Sequence, residues 1–85
     1  MNATLTYENF NVVGNYIPGQ NQFVCIPPNY PAIVNTNRML VELHRKLELG
    51  KVPVVTISFQ NGNALHTVQR TVAQVSGNTR TINLI

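Results

Sequence analysis

The chain has 85 residues, 44% hydrophobic and only 11% charged, where an average soluble protein carries roughly 25% charged residues. Six Lys and Arg against three acids, all of them Glu, give a net charge of +3 at pH 7, and with no Asp present Asn and Thr supply much of the polarity. That balance excludes a disordered chain, which needs low hydrophobicity and high net charge, and the length fits one small domain whose thin stability margin a partner would raise.

From Thr4 to Ile26 the aromatic and β-branched residues, broken at Gly14-Asn15 and Pro18-Gly19, read as two short strands with turns rather than as a helix. Leu5 and Tyr7 share one face of the first, Phe23 and Cys25 one face of the second, which runs from Gln22 to Ile26. Pro27-Pro28-Asn29-Tyr30-Pro31 favours extended geometry and predicts a stiff connector over 27–34. A helix is predicted over 36–49: Asn35 or Thr36 caps it, Leu40, Leu43 and Leu47 share a face, and Gly50 supplies a left-handed stop. Arg38, Glu42 and Lys46 recur at every fourth residue on the solvated face, where i, i+4 ion pairs are expected.

After the helix, Val55, Ile57 and Phe59 alternate with Thr56 and Ser58, and Asn61-Gly62 suits a type I′ turn. With those two residues central, Phe59 faces Ala64, Ile57 faces His66 and Val55 faces Val68. Ser76-Gly77-Asn78-Thr79 predicts a second turn that sets Val75 opposite Arg80, Ala73 opposite Ile82 and Thr71 opposite Leu84. The inward positions of the shared strand are even-numbered early and odd-numbered late, so a bulge is required, expected at Gln69-Arg70. The expected fold is a single α+β domain over 1–85. Its N-terminal strand region is 3–26 and its C-terminal meander 53–85, with one helix packed on a curved, mainly antiparallel sheet or small open barrel of about four or five short strands.

The inventory for catalysis is poor. Glu42 and Glu48 stand on different faces of the helix and cannot act as a paired acid and base. Cys25 lacks a nucleophile elbow or helix N-terminus to activate it. Cys25, His44 and His66 lack the close spacing of a metal site, and His66 is expected at the core edge, bonding a backbone group. The glycines are scattered, with no phosphate loop. No enzyme, cofactor, metal or small-molecule substrate is expected. The longest strongly apolar stretch, Val52 to Phe59, falls far short of the ~20 residues of a membrane helix. Met1 to Phe10 carries no readable secretion signal, and the single Cys25 forbids an intramolecular disulfide. A cytoplasmic or virion location is expected, away from membranes.

Two non-enzymatic classes remain. Lys51, Arg70, Arg80, Arg45 and Lys46, with Arg38, are candidates for phosphate contacts, though their scatter supports only weak, salt-sensitive binding and no base-stacking platform is evident. The segment Lys51-Val52-Pro53-Val54-Val55-Thr56-Ile57-Ser58-Phe59-Gln60-Asn61-Gly62-Asn63-Ala64-Leu65, preceded by a helix, resembles the start of a bacterial Sm-like RNA-binding protein. That resemblance implies a ring oligomer binding single-stranded RNA; the long N-terminal region has no counterpart in it, and few residues follow Gly62 for its full bent sheet.

The other class is assembly. Extensive contacts between proteins favour neutral polar groups, because a buried charge must be paired or suffer several kcal/mol of desolvation. The C-terminal strand carries Ile82, Leu84 and Ile85, which are expected to make assembly contacts along an open edge. Together with the low charge and the richness in Asn, Thr and Val, this points to a homo-oligomer or larger assembly, of the kind formed by a small virus- or phage-type structural component.

Overall fold

The computed structural model describes residues 1–85. In chain order the elements are strand β1 (Asn2–Tyr7), β2 (Phe10–Ile17), a 3₁₀ turn (Pro18–Gln20), β3 (Gln22–Cys25), helix α1 (Tyr30–Glu48), β4 (Val54–Asn61), β5 (Ala64–Ser76) and β6 (Thr81–Leu84). All neighbouring strands are antiparallel, and the order β1-β2-β3-β6-β5-β4 closes on itself as a six-stranded barrel. The sheet therefore exceeds the expected strand number and is closed rather than open. Each half of the chain is a three-stranded meander, β1–β3 and β4–β6, joined through α1. The halves meet twice, Leu5 opposite Ile57 on β1 and β4 and Phe23 opposite Ile82 on β3 and β6.

The extra strand is β2. Gly14-Asn15 is no turn: Gly14 lies inside β2, opposite Ala3 on one side and Cys25 on the other. The actual turn is Glu8-Asn9, with Glu8 at φ 52, between paired Tyr7 and Phe10. Gly14 is needed because its neighbours leave no space. A Cβ there would sit 2.1 Å from the Val24 carbonyl oxygen and 2.8 Å from Phe23 Cε1. The sequence signal was a close approach inside a strand, which a glycine marks as readily as a turn.

Helix α1 begins six positions before its predicted start, at Tyr30. The cap is Asn29, extended at φ −154, whose Oδ1 accepts from the Ala32 N–H at 2.9 Å. Pro31 falls in the first turn, where its missing N–H would have no helical partner in any case. The expected connector thus holds the first turn of the helix. Thr36, one of the predicted caps, is buried in mid-helix. The C-terminal end is as expected: Gly50 is left-handed at φ 75, with Gly50 N–H donating to the Leu47 carbonyl and Lys51 N–H to the Lys46 carbonyl, a Schellman arrangement. Leu40 and Leu43 face the core with Met39, and Leu47 packs at its margin. The expected charge ladder is replaced by Glu42–Arg45, His44–Glu48 and Lys46–Glu8 pairs.

Alternate residues of the strands fill the interior. Leu5, Phe23, Val55, Ile57 and Ile82 are fully buried, and Met39 and Leu43 from α1, which lies against β2 and β5, join them. Both C-terminal hairpins differ from their predicted register by a two-residue step. Phe59 pairs with His66 and Ile57 with Val68, around central residues Gly62-Asn63. Gly62 takes the first central position at φ 65, the placement of a type II′ turn. Even-numbered steps preserve faces, so the side chains of this first hairpin stay on their predicted sides. In the second hairpin Ser76 pairs with Thr81 and Val75 with Ile82 across a longer loop, in which Arg80 has φ 51.

The required bulge is present, but at Ala73: Val72 faces Leu84, Gln74 faces Asn83, and Ala73 is the extra residue between. Its position is set by the partners. β5 stays in register with β4 as far as Thr71, so the irregularity falls where β5 exchanges β4 for β6.

Gly14→Ala is expected to cost about 3 kcal/mol or more, the upper range for forcing atoms into a packed site, because backbone rather than a flexible side chain blocks the new methyl. Urea denaturation measures it; Gly77→Ala, where nothing lies within reach of a new Cβ, is the reference and should change stability little.

Candidate functional site

The C-terminal strand is not an open edge. β6 lies between β3 and β5, with Ile82 0% and Leu84 6% exposed. Both side chains belong to the core and are unavailable for assembly contacts; only Ile85 is exposed. Closing the barrel through β6 saturates the backbone that the sequence had left open.

The open edge is instead in β5. Residues Ala64 to Arg70 pair with β4 alone; the Thr71 carbonyl accepts from the Ile85 N–H at 2.8 Å, and pairing with β6 begins at Val72. The first half of β5 thus has a strand neighbour on one side and none on the other. Ala64, Leu65, His66, Thr67 and Gln69 are all exposed; Val68 packs against the core and the β4 residues as far as Phe59 pair with β1, so this half of β5 is a free-edged arm that follows the barrel wall and passes beyond it at the hairpin tip. In a hairpin closed by a two-residue turn the flanking pair is hydrogen-bonded, and the pairs alternate from there. Ala64, His66 and Val68 accordingly direct their backbone groups to β4. Leu65, Thr67 and Gln69 present N–H and C=O outward.

Natural strand edges are commonly protected by charges, by Pro or by a bulge. From Ala64 to Gln69 none of these is present; Arg70 stands at the far end of the run, its Nη1 donating to the Gln69 carbonyl at 2.8 Å. Leu65 is 68% exposed. His66 does not bond a backbone group as expected: its ring stacks on Phe59 with centroids 5.5 Å apart, and Phe59 in turn meets Tyr16 at 5.7 Å.

The outer surface beside the arm carries no ionisable side chain. One row across β2, β1, β4 and β5 reads Val13, Thr4, Ser58, Thr67, and the next reads Asn11, Thr6, Thr56, Gln69. The rows are stitched by side chains, with Thr6 Oγ1 donating to Asn11 Oδ1 at 2.8 Å and the Ser58 and Thr67 hydroxyls 3.4 Å apart. An open groove of about 770 Å³ lies over this surface, lined by Thr4, Val13, Ile26, Ser58, Gln60 and Leu65 among others.

The charged residues lie elsewhere and do not form a stripe. Arg45 reaches Glu42 with Nε at 3.2 Å and Nη2 at 2.5 Å, and its guanidinium holds the Glu42 carboxyl below the ordinary carboxylate range. Lys46 Nζ is 3.7 Å from Glu8. Arg80 Nε donates to Asn37 Oδ1 at 3.2 Å, Lys51 comes just after the end of α1, and Arg70 is on β5. Arg45, Lys46 and Lys51 thus lie at the C-terminal end of α1, the first two engaged by Glu42 and Glu8, while Arg70 on β5 and Arg80 in the β5–β6 loop belong to other elements.

Cys25 faces the interior, and burial pushes its thiol from an ordinary 9.0 up to about 11, an effect that Arg80 only partly offsets. His44 is engaged with Glu48 on α1 at 3.1 Å while His66 is on the arm. No group of His, Cys, Asp and Glu is gathered that could hold a metal ion. No helix is long and apolar enough to cross a membrane.

The fold and this edge define a closed antiparallel barrel with one helix and a free-edged β-arm. Against known proteins the chain finds no counterpart: no family model, no curated protein and no solved structure matches it. The helix, strand and Gly62 turn that resemble an Sm-like start are present as α1, β4 and the β4–β5 turn, but three strands precede the helix and share the barrel with the three that come after it.

The Cys25 thiol sets a pH dependence whose sign is fixed. Its native pKa is above the unfolded value, so between about 9 and about 11 the unfolded chain releases a proton that the native chain keeps. Stability is complete below that window and falls as pH rises through it, by at most about 2–3 kcal/mol from this group. Burial also raises the Tyr7 phenol, aided by the neighbouring Glu8 carboxylate, which acts in the same direction. Thermal melts between pH 8 and 11 isolate the thiol: Cys25→Ala should show a shallower decline than the wild type.

Proposed function

We propose that this protein is a non-enzymatic assembly component whose contact is made by adding a strand to the open edge of β5. The observation that supports this best is the run Ala64–Gln69, an exposed strand with a neighbour on one side only and no charge or proline to protect it. Main-chain hydrogen bonds give such an addition its affinity, and side chains on the two faces give it selectivity. The adjoining Thr, Ser, Asn and Gln surface adds neutral contacts with no buried charge to compensate. The composition, poor in ionisable groups and rich in Asn, Thr and Val, accords with a small virion component such as a minor capsid, decoration or tail protein. The edge supports homo-oligomerisation or incorporation into a larger array as the central activity, and the dispersed cations give little support to a nucleic-acid groove.

Residue-resolved amide exchange tests the edge directly. The Leu65, Thr67 and Gln69 amides should become protected as the protein associates, while His66 and Val68, bonded to β4, are protected throughout. Thr67→Pro removes an outward N–H without touching the β4 ladder and should abolish association, read by sedimentation, in a chain whose amide spectrum remains native. Association that proceeds with those three amides still exchanging freely would refute strand addition.

A further inference from the structure

We infer that the strand added to β5 is β5 of a second copy, antiparallel, about a two-fold axis passing through Thr67; this rests on the assembly role proposed above. The open run extends from Ala64 to Arg70, and Thr67 is its midpoint. Thr67 is also one of the residues whose backbone groups point outward, so two copies can set it opposite itself as a hydrogen-bonded pair. Leu65 then faces Gln69, His66 faces Val68 and Ala64 faces Arg70, each twice by symmetry. The outward groups of Leu65, Thr67 and Gln69 supply about six backbone hydrogen bonds in the alternation of an antiparallel ladder, the Gln69 carbonyl accepting from the second strand beside or in place of Arg70 Nη1.

Other centres use the edge less well. An axis at Leu65 carries the second strand beyond the hairpin tip, where nothing remains to pair. An axis at Gln69 drives it into β6, which occupies this side of β5 from Val72 onward. Only Thr67 engages the full length.

Charge favours the same arrangement. Each copy carries +3, so self-association requires a surface where cations do not meet. The single charge in the run, Arg70, lands opposite Ala64 of the second copy. On the outer face the row Val13, Thr4, Ser58, Thr67 continues into the same row of the partner, giving one uncharged band across eight strands' worth of sheet, four from each copy. On the other face each exposed His66 gains the partner's Val68 as a neighbour, extending the stack that begins at Tyr16 and Phe59.

A charge-swap experiment reads the axis. Thr67→Lys and Thr67→Glu each set like charges opposite each other and should weaken the dimer by at least about tenfold in sedimentation equilibrium, while an equimolar mixture of the two should recover it. The site is exposed, and native amide spectra of both variants establish that the fold is retained. A mixture no tighter than either variant alone, or Thr67→Lys associating like the wild type, overturns the two-fold pairing. If Thr67→Pro still abolishes association in that event, the edge is used in another register or by another chain and the assembly role stands. If Thr67→Pro also associates normally, both fall. A wild-type chain that remains monomeric up to millimolar concentration overturns the pairing.

Discussion

Strand β5 must serve two neighbours in succession, and much of the molecule depends on that. Its first part is bonded to β4 and its second to β6, so neither part is sandwiched along its whole length. Side chains alternate with period two, and the interior lies on even-numbered positions as far as Val72 and on the odd-numbered Val75 beyond it. The extra residue at Ala73 reconciles the two. It also turns the strand, which allows the second part to meet β6 and complete the barrel while the first part keeps one edge free. Closure of the barrel and exposure of the arm have a single cause.

A closed barrel ordinarily removes the hazard of unpaired edges. Here the hazard is removed from β6, β1 and β3 and left on one half of one strand. The N-terminal meander offers the contrast: the first half of β2 is also beyond the reach of β3, but Ile26 N–H donates to the Val13 carbonyl and Asn35 Nδ2 to the Asn11 carbonyl, so the chain entering α1 and the helix itself occupy that side. No such element covers β4–β5. The placement of the only helix between the two meanders is what makes topologically equivalent strands differ in exposure. The neutral outer face bears on the proposed assembly, because like-charged copies repel least where their cations do not face one another.

Much of the architecture was legible because local chemistry and tertiary demand agreed. The inward faces of β1, β3 and β4, the leucines of α1, its stop at Gly50 and the need for a bulge were all visible as alternation, helical spacing or a left-handed glycine. Elements were misplaced where a residue type has two uses. Gly14 marks both turns and close approaches, and only Phe23 and Val24 beside it decide which. Pro31 both breaks helices and opens them, and the Asn29 cap selects the second. The first hairpin shifted by a step that leaves faces unchanged, which alternation cannot detect, and in the second the later bulge put Val72 rather than Ala73 inside.

For the site the division is sharper. Sequence determined that the chain is poor in charge, that its cysteine and histidines lack a ligand pattern, and that a bent β-structure comes after a helix; these depend on composition and on neighbours along the chain. Which strand edge remains open depends on pairings between residues far apart in sequence, such as Leu5 with Ile57 and Phe23 with Ile82. An apolar C-terminal strand and a mixed polar strand after Gly62 look alike as candidate edges until those long-range ladders form. The tertiary structure buried the first and exposed the second, because the apolar strand gains from filling the interior of the barrel while Leu65, Thr67 and Gln69 have outward backbone groups that no other strand of the same chain reaches.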